Sequence, residues 1–82
     1  MRRYNNKLNI SGKVIENARL SKNLSREELS NKLQLMGLNV DRSFVYRIEK
    51  QSSTLKDFEL IAIATILELD LENLKKLMDK RP

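Results

Sequence analysis

Residues 24–50, LSREELSNKLQLMGLNVDRSFVYRIEK, hold two short helical patterns separated by a turn that contains Gly37. The first pattern opens with Ser25 and Glu28, which have the spacing of a capping box, in which each side chain bonds the other residue's backbone N–H. Because glycine commonly follows the last residue of a helix, we expect this helix to run from about 26 to 36. The side chains that its periodicity places in the core are Leu29, Leu33 and Met36.

The second pattern begins after Asp41, a good N-cap residue, and predicts a helix over about 42–50. At about 100° per residue, one side of this helix is apolar and comprises Phe44, Val45 and Ile48. The other side, the basic face, comprises Arg42, Ser43, Tyr46, Arg47 and Lys50. The basic face holds three cations, a phenol and a hydroxyl but no acid, which indicates contact with an anionic partner.

Three further helices are predicted outside this pair. Ser11 has the position and residue type of an N-cap for a first helix. The apolar run FELIAIATIL, residues 58–67, predicts a fourth helix that starts between residues 55 and 57 and lies in the core. Asp70 is placed to cap a fifth helix. The apolar stripe of that fifth helix comprises Leu71, Leu74, Leu77 and Met78.

The start of the chain differs from the rest. Residues 1–9, MRRYNNKLN, have no periodicity and are expected to form a flexible basic arm. No stretch of five residues alternates between apolar and polar as a strand does. The chain is therefore predicted to be all-α, with one five-helix domain over residues 10–82.

Composition excludes several classes of function. The chain has no cysteine and no histidine, which removes disulfides, thiolate metal sites, the commonest general base and the commonest metal ligand. We therefore expect no enzyme and no cofactor. The apolar run over residues 60–67 is far shorter than the roughly 20 residues of a membrane span, and the chain starts without a signal-peptide pattern. A cytoplasmic protein without membrane contact is expected.

Charge is distributed unevenly along the chain. The net charge is +5, but residues 1–50 carry eleven Lys and Arg against five Asp and Glu. Residues 51–82 carry five against six, so all the excess positive charge lies in the part that contains the basic face. Such asymmetry favours a polyanionic partner, most often nucleic acid.

Three stretches, IENARLSKNLSREELSNKL, DRSFVYRIEK and DFELIAIATILELDLENL, resemble the Cro/cI-type (xenobiotic-response-element type) helix-turn-helix family over residues 12–74. The matching features are an arginine late in the first helix, the L-S-x-E-E-L opening of the second, and the Arg-Ser start and Ile-Glu end of the third. The resemblance implies a lambda-repressor-like fold whose third helix enters the major groove. It also implies a homodimeric transcriptional regulator, a repressor, on a pseudo-palindromic site in double-stranded DNA.

The resemblance also implies roles for individual residues. The positions that contact base edges in the family are Arg42, Ser43, Tyr46 and Arg47. The positions that contact phosphates are Arg26, Lys50, Ser52 and Ser53. Arg19 and Glu49 match a pair that forms an internal salt bridge. The residue types suit these roles, because an arginine can bond both O6 and N7 of guanine and a hydroxyl can bond a base edge or a phosphate.

The chain departs from the family pattern in its turns. The connection QLMGLNV, residues 34–40, is longer than the family's usual turn, so the third helix is expected to be shifted or tilted. Ser30 replaces a usual alanine but is also small. Gln51 and Glu68 stand where glycine is frequent, so each is expected to adopt the left-handed conformation at a modest cost.

A second function stays open from the sequence. The same fold serves as a protein-interaction module, such as the antitoxin of a toxin–antitoxin pair, and the apolar stripe of the fifth helix would then bind the partner. That stripe also has the pattern of a dimer interface. The interaction module would be favoured if Arg47→Ala left DNA binding unchanged while a substitution of Leu77 abolished the effect of the protein in the cell.

Overall fold

Four α-helices make up the part of the chain that the computed structural model describes, which is Asn9 together with residues 11–70. They are α1 Gly12–Ser21, α2 Arg26–Leu35, α3 Arg42–Glu49 and α4 Asp57–Leu67. No strand occurs among these residues, which confirms the all-α class. The predicted fifth helix and residues 1–8 of the predicted arm lie outside the described residues, so the described fold has four of the five predicted helices.

The core is formed by one apolar side from each helix. Its fully or nearly fully buried side chains are Ile15, Leu29, Leu33, Phe44, Val45, Ile48, Ala62, Ile63 and Leu67. Leu29 and Leu33 are buried as predicted, but the prediction for Met36 is wrong, since 47% of its surface is exposed. Met36 follows the last residue of α2 as its cap, so the helical periodicity that would bury it ends one residue earlier. No helix within residues 11–70 is both long and apolar enough to cross a membrane.

The predicted N-caps of α2 and α3 are confirmed. Ser25 Oγ accepts a hydrogen bond from the Glu28 amide at 2.9 Å, and Glu28 Oε1 accepts one from the Ser25 amide at 2.7 Å. The bond from the Ser25 amide stabilises the carboxylate and, with a further contribution from the Ser25 side chain, lowers the pKa of Glu28. At α3, Asp41 Oδ1 accepts from the Phe44 amide at 3.0 Å. Both helices thus begin where the local sequence indicates.

The start of α1 is capped by a different residue from the one predicted. Ser11 stands at the N-cap, but its side chain makes no capping bond. Asn9 Oδ1 instead accepts from the amides of Ser11 and Gly12, at 3.1 and 2.8 Å. Its Nδ2 donates to the carbonyls of Ile48 and Ser53, at 3.1 and 3.0 Å. Asn9, which the sequence pattern assigns to the basic arm, is buried and joins the start of α1 to the end of α3.

Gly12 allows that close approach between α1 and α3. A Cβ atom at this position would lie 2.5 Å from the Ile48 carbonyl oxygen and 2.7 Å from Gln51 Cγ. Real Cβ atoms do not approach a backbone oxygen so closely, so any other residue would push the two helices apart.

All four helices end in the same way. Each is followed by a residue with positive φ, namely Asn23 at 57°, Gly37 at 96°, Gln51 at 62° and Glu68 at 58°. The amide after that residue bonds a carbonyl five positions back, in the pairs Leu24–Arg19, Leu38–Leu33, Ser52–Arg47 and Leu69–Ala64. This is the Schellman arrangement, for which glycine is the usual residue. The left-handed conformation expected of Gln51 and Glu68 is confirmed.

The connection between α2 and α3, residues 36–41, is folded against the rest of the domain. Leu38 and Val40 are half-buried and pack on the core. Gln34 Nε2 donates to the Val40 carbonyl at 2.6 Å. The added residues of this turn therefore contribute packing and a hydrogen bond, and they attach the start of α3 to the end of α2.

Candidate nucleic-acid interface

Helix α3 has a buried side and an exposed side, divided as its periodicity predicts. Phe44, Val45, Ile48 and Glu49 are buried. The basic face comprises the exposed residues Arg42, Ser43, Tyr46, Arg47 and Lys50. The helix is therefore held firmly from one side while its four predicted base-contacting side chains point to solvent.

The buried side of α3 contains one charged group, and this group organises the site. Glu49 has no exposed side-chain surface, and Arg19 Nε lies 2.6 Å from Glu49 Oε2. Arg19 Nη2 donates to Oε1 at 3.2 Å, and Arg19 Nη1 donates to the Leu24 carbonyl at 2.7 Å. Arg26 Nε also donates to Glu49 Oε1, at 2.9 Å. These three residues, the Arg–Glu cluster, tie α1, α2 and α3 together, and Arg19 and Glu49 form the ion pair that the resemblance implied.

Arg26 lies at the edge of this cluster rather than free in solvent. Besides its bond to Glu49, its Nη2 lies 3.6 Å from Glu16 Oε2. Its Cζ lies over the ring of Tyr46, 5.0 Å from the ring centroid. The phosphate contact that the resemblance implies for Arg26 stays a prediction; in the structure Arg26 lies against two carboxylates and an aromatic ring.

Sequence reasoning missed Glu16 as a member of this site. Glu16 lies on α1, and Arg26 starts α2, so their contact depends on how the two helices pack. No local spacing rule indicates that contact, because i, i+3 and i, i+4 neighbours are the only pairs that helix geometry brings together.

The two arginines of the basic face have a different environment. Within residues 11–70, neither the Arg42 nor the Arg47 guanidinium forms a hydrogen bond or an ion pair with a protein group. Both side chains are exposed. Among the described residues, then, nothing occupies the N–H donors of either guanidinium or compensates its positive charge.

The remaining predicted phosphate-contacting residues lie at and after the end of α3. Lys50 is exposed, and its Nζ lies 5.6 Å from the Tyr46 ring centroid. Ser52 is exposed and donates to the Arg47 carbonyl at 3.3 Å. Ser53 is half-buried, and its hydroxyl donates to the Thr54 carbonyl at 3.3 Å. Of the two hydroxyls, that of Ser52 is the more open to a ligand.

The described residues offer nothing that resembles a metal site. Among Asn9 and residues 11–70, no three His, Cys, Asp or Glu residues are grouped so that they could hold a metal ion. The groups of the basic face are N–H and O–H donors and positive charges, which can donate hydrogen bonds and neutralise negative charge.

The chain was compared with family models, with curated proteins and with solved structures. A family model described as helix-turn-helix matches residues 15–74, which is well over half of the chain and includes α2, α3, α4 and most of α1. The search of curated proteins and the search of solved structures found no significant match.

Proposed function

Because the chain belongs to the Cro/cI-type helix-turn-helix family of DNA-binding regulators, we propose that it recognises a specific operator by placing α3 in the major groove. The observation that carries this proposal is the basic face of α3. Its two arginines have no acidic partner in the described part of the chain, and the opposite side of the helix is anchored in the core.

The proposed roles follow from the chemistry of each group. Arg42 and Arg47 have exposed guanidinium groups, unpaired within the described part of the chain, that suit bidentate contact with O6 and N7 of guanine. Ser43 and Tyr46 each offer a hydroxyl that can donate to or accept from a base edge. Affinity would come mostly from neutralised phosphates, to which the exposed Lys50 contributes, and choice of sequence from the base contacts.

We further propose that the chain acts as a homodimer. Helix α3 has eight residues, and at about 1.5 Å per residue it spans only a few base pairs. Two copies related by a two-fold axis would contact two half-sites about one helical turn apart. Repression is the proposed outcome, because occupying an operator that overlaps a promoter blocks transcription without any second activity of the protein.

A second candidate function, a protein-interaction module such as an antitoxin, is favoured by a separate observation. Several large apolar side chains are exposed, namely Leu35, Met36, Phe58 and Ile61. Met36, Phe58 and Ile61 border one groove between the α2–α3 connection and α4. Such a groove suits a partner protein. This surface is separate from the basic face, so substitutions can test the two functions independently.

Selection from a random duplex library, at about physiological salt, tests the proposal. The wild-type chain is compared with an Arg42→Ala/Arg47→Ala variant and with a Lys13→Ala/Lys32→Ala control. The control removes the same charge from exposed positions on α1 and α2. We expect the wild type and the control to enrich the same two-fold symmetric site and the arginine variant to enrich none. Equal retention by all three proteins without an enriched sequence would contradict the proposal.

The symmetry of the selected site tests the dimer separately. Two half-sites with centres about 34–36 Å apart are expected for a two-fold dimer. A single asymmetric site bound by one chain would contradict the homodimer. A Phe58→Glu/Ile61→Glu variant tests the protein-interaction module. If this variant keeps its DNA binding but loses the effect that the wild type has in the cell, the protein-interaction module is the better account.

A further inference from the structure

The ring of Tyr46 contacts two cations that come from different parts of the chain. Arg26 Cζ, from the first residue of α2, lies 5.0 Å from the ring centroid. Lys50 Nζ, from the cap residue of α3, lies 5.6 Å from it. We propose that Arg26 is a positioning residue, which orients Tyr46 so that Tyr46 selects one base pair of the operator half-site. This inference rests on the proposed function.

The charge of Arg26 is already compensated inside the protein. Its Nε donates to Glu49 Oε1 at 2.9 Å, and its Nη2 lies 3.6 Å from Glu16 Oε2. A cation strengthens DNA binding through released counterions when it neutralises a phosphate. A guanidinium that already faces two carboxylates contributes little to that effect, so a phosphate contact is not its main role.

The Arg–Glu cluster holds Arg26 in place. Glu49 is fully buried and is itself fixed by Arg19 through bonds of 2.6 and 3.2 Å. The Arg26 guanidinium is therefore attached through Nε to a rigid group, and it lies over the Tyr46 ring while 33% of the side chain stays exposed. A flexible surface arginine would lose entropy on stacking over an aromatic ring, whereas this one is already ordered.

These contacts restrict the orientation of the Tyr46 ring and leave part of the ring exposed. Tyr46 is 47% exposed, so about half of its surface is covered. Cation–π contacts favour the ring orientation that keeps both cations over the π-system. The side chain is then ready to meet a base edge with little further loss of freedom, and selectivity gains from this preorganisation.

The position of Tyr46 makes it suitable for selecting a base pair. It lies one helical turn after Arg42 and next to Arg47, which are the two arginines proposed to contact guanines. Its hydroxyl can bond a base edge, and its ring can pack on a thymine methyl. A small displacement of the ring would change which base it favours, so the residue that fixes the ring also fixes the preference.

The test measures base preference rather than total affinity. Duplexes with each single base-pair change in the selected half-site compete for wild type, Arg26→Gln, Tyr46→Ala and the double variant. We expect Tyr46→Ala to flatten the preference at one or two adjacent base pairs. Arg26→Gln should reduce the base preference at the same positions by about fivefold. The double variant should show no greater loss than Tyr46→Ala alone, because both changes act on one contact.

Two further variants complete the design. Lys32→Gln removes an exposed cation from the same helix without touching Tyr46, and should leave every preference unchanged. Arg26→Lys keeps the charge but loses the planar group and the Nε–H donor, and it replaces Arg26→Gln if that variant does not fold. It should reduce the preference at the same base pairs, while the dependence of binding on salt stays that of the wild type.

Three results would overturn the inference. The first is an equal loss of affinity for all duplexes on Arg26→Gln, with a salt slope lower by about one, as for a plain phosphate contact. The second is additive losses in the double variant. The third is full wild-type preference in Arg26→Lys. If the wild type itself prefers no site, the proposed function fails along with the inference, whereas a selective wild type with an unchanged Arg26→Gln profile refutes only the inference.

Discussion

Two pairs of arginines in this small domain have opposite environments. Arg19 and Arg26 face carboxylates, with distances of 2.6 and 2.9 Å to the oxygens of Glu49. Arg42 and Arg47 are exposed and, in the described part of the chain, have no such partner. The same side chain therefore serves to join helices in one place and to present positive charge in the other. The difference lies in the acids around it.

Burial explains why Arg19 needs its partner, since its side chain is only 7% exposed, whereas that of Arg26 is 33% exposed. Removing a guanidinium from water costs several kcal/mol unless an opposite charge and hydrogen bonds compensate for it. Glu49 supplies that charge to both Arg19 and Arg26. The second pair stays hydrated, so its charge costs nothing in the free protein and is available to a polyanion.

The largest expected effect comes from removing the shared acid. Glu49→Gln leaves the buried Arg19 without its charge partner and deprives Arg26 of one carboxylate. We expect the free energy of unfolding to fall by about 3–5 kcal/mol. Urea denaturation of the variant and the wild type measures this change.

Glu16→Gln, at a more exposed partner 3.6 Å from Arg26, is the matched control. It should lower the free energy of unfolding by less than about 1 kcal/mol. Similar small losses in both variants would show that the cluster does not hold the helices together.

A smaller effect is expected where α1 meets the end of α3, close to the Arg–Glu cluster. Gly12→Ala places a Cβ 2.5 Å from a backbone oxygen of α3. We expect this substitution to lower the free energy of unfolding by about 2–3 kcal/mol. Gly37→Ala is the matched control, because its Cβ would meet no atom within 4 Å but would have to adopt a φ of 96°. That strain alone should cost about 1 kcal/mol. Denaturation curves compare the two, and equal losses would mean that the close approach is unimportant.

The smallest effect concerns a surface acid, in contrast to the buried Glu49. The capping bonds of Ser25 lower the pKa of Glu28 in the folded state. A lowered folded pKa means that the charged form stabilises the fold above the unfolded pKa, and that this contribution is lost as pH falls through the folded pKa. We therefore expect Glu28→Gln to be less stable than the wild type near neutral pH, with the difference shrinking in acid.

Denaturation at a series of pH values, from about 7 to about 3, measures that difference. Glutamine can still accept the Ser25 amide, so the variant isolates the contribution of charge. A difference that stays constant with pH would contradict the assignment of the lowered pKa to the capping box.

Local patterns predicted the features that depend on residues close in sequence. The capping box of Ser25 and Glu28 and the Asp41 cap involve contacts within about one helical turn. For the same reason the basic face could be listed from periodicity alone. Its role in DNA recognition stays a prediction, although family membership supports it. The left-handed conformation of Gln51 and Glu68 was expected from the family resemblance, in which glycine is frequent at both positions.

Features that depend on packing between distant residues were not predictable in this way. Asn9 caps α1 and bonds carbonyls 39 and 44 residues further along the chain, and no spacing rule connects those positions. Arg26 is 23 residues from Glu49, so its pairing depends on the fold. Met36 matched the helical period but lies just beyond the end of α2, which is why it is exposed.

The most direct test of the basic face uses guanine replaced by 7-deazaguanine in the selected operator. This change removes only N7, an acceptor in the major groove, and leaves base pairing intact. We predict that the wild type loses roughly tenfold or more in affinity at one or two guanines of each half-site. Arg42→Ala or Arg47→Ala, each with a stability within about 0.5 kcal/mol of the wild type, should show no further loss at the guanine it normally contacts. Equal losses in the wild type and the arginine variants, or no loss at any guanine, would contradict major-groove recognition by α3.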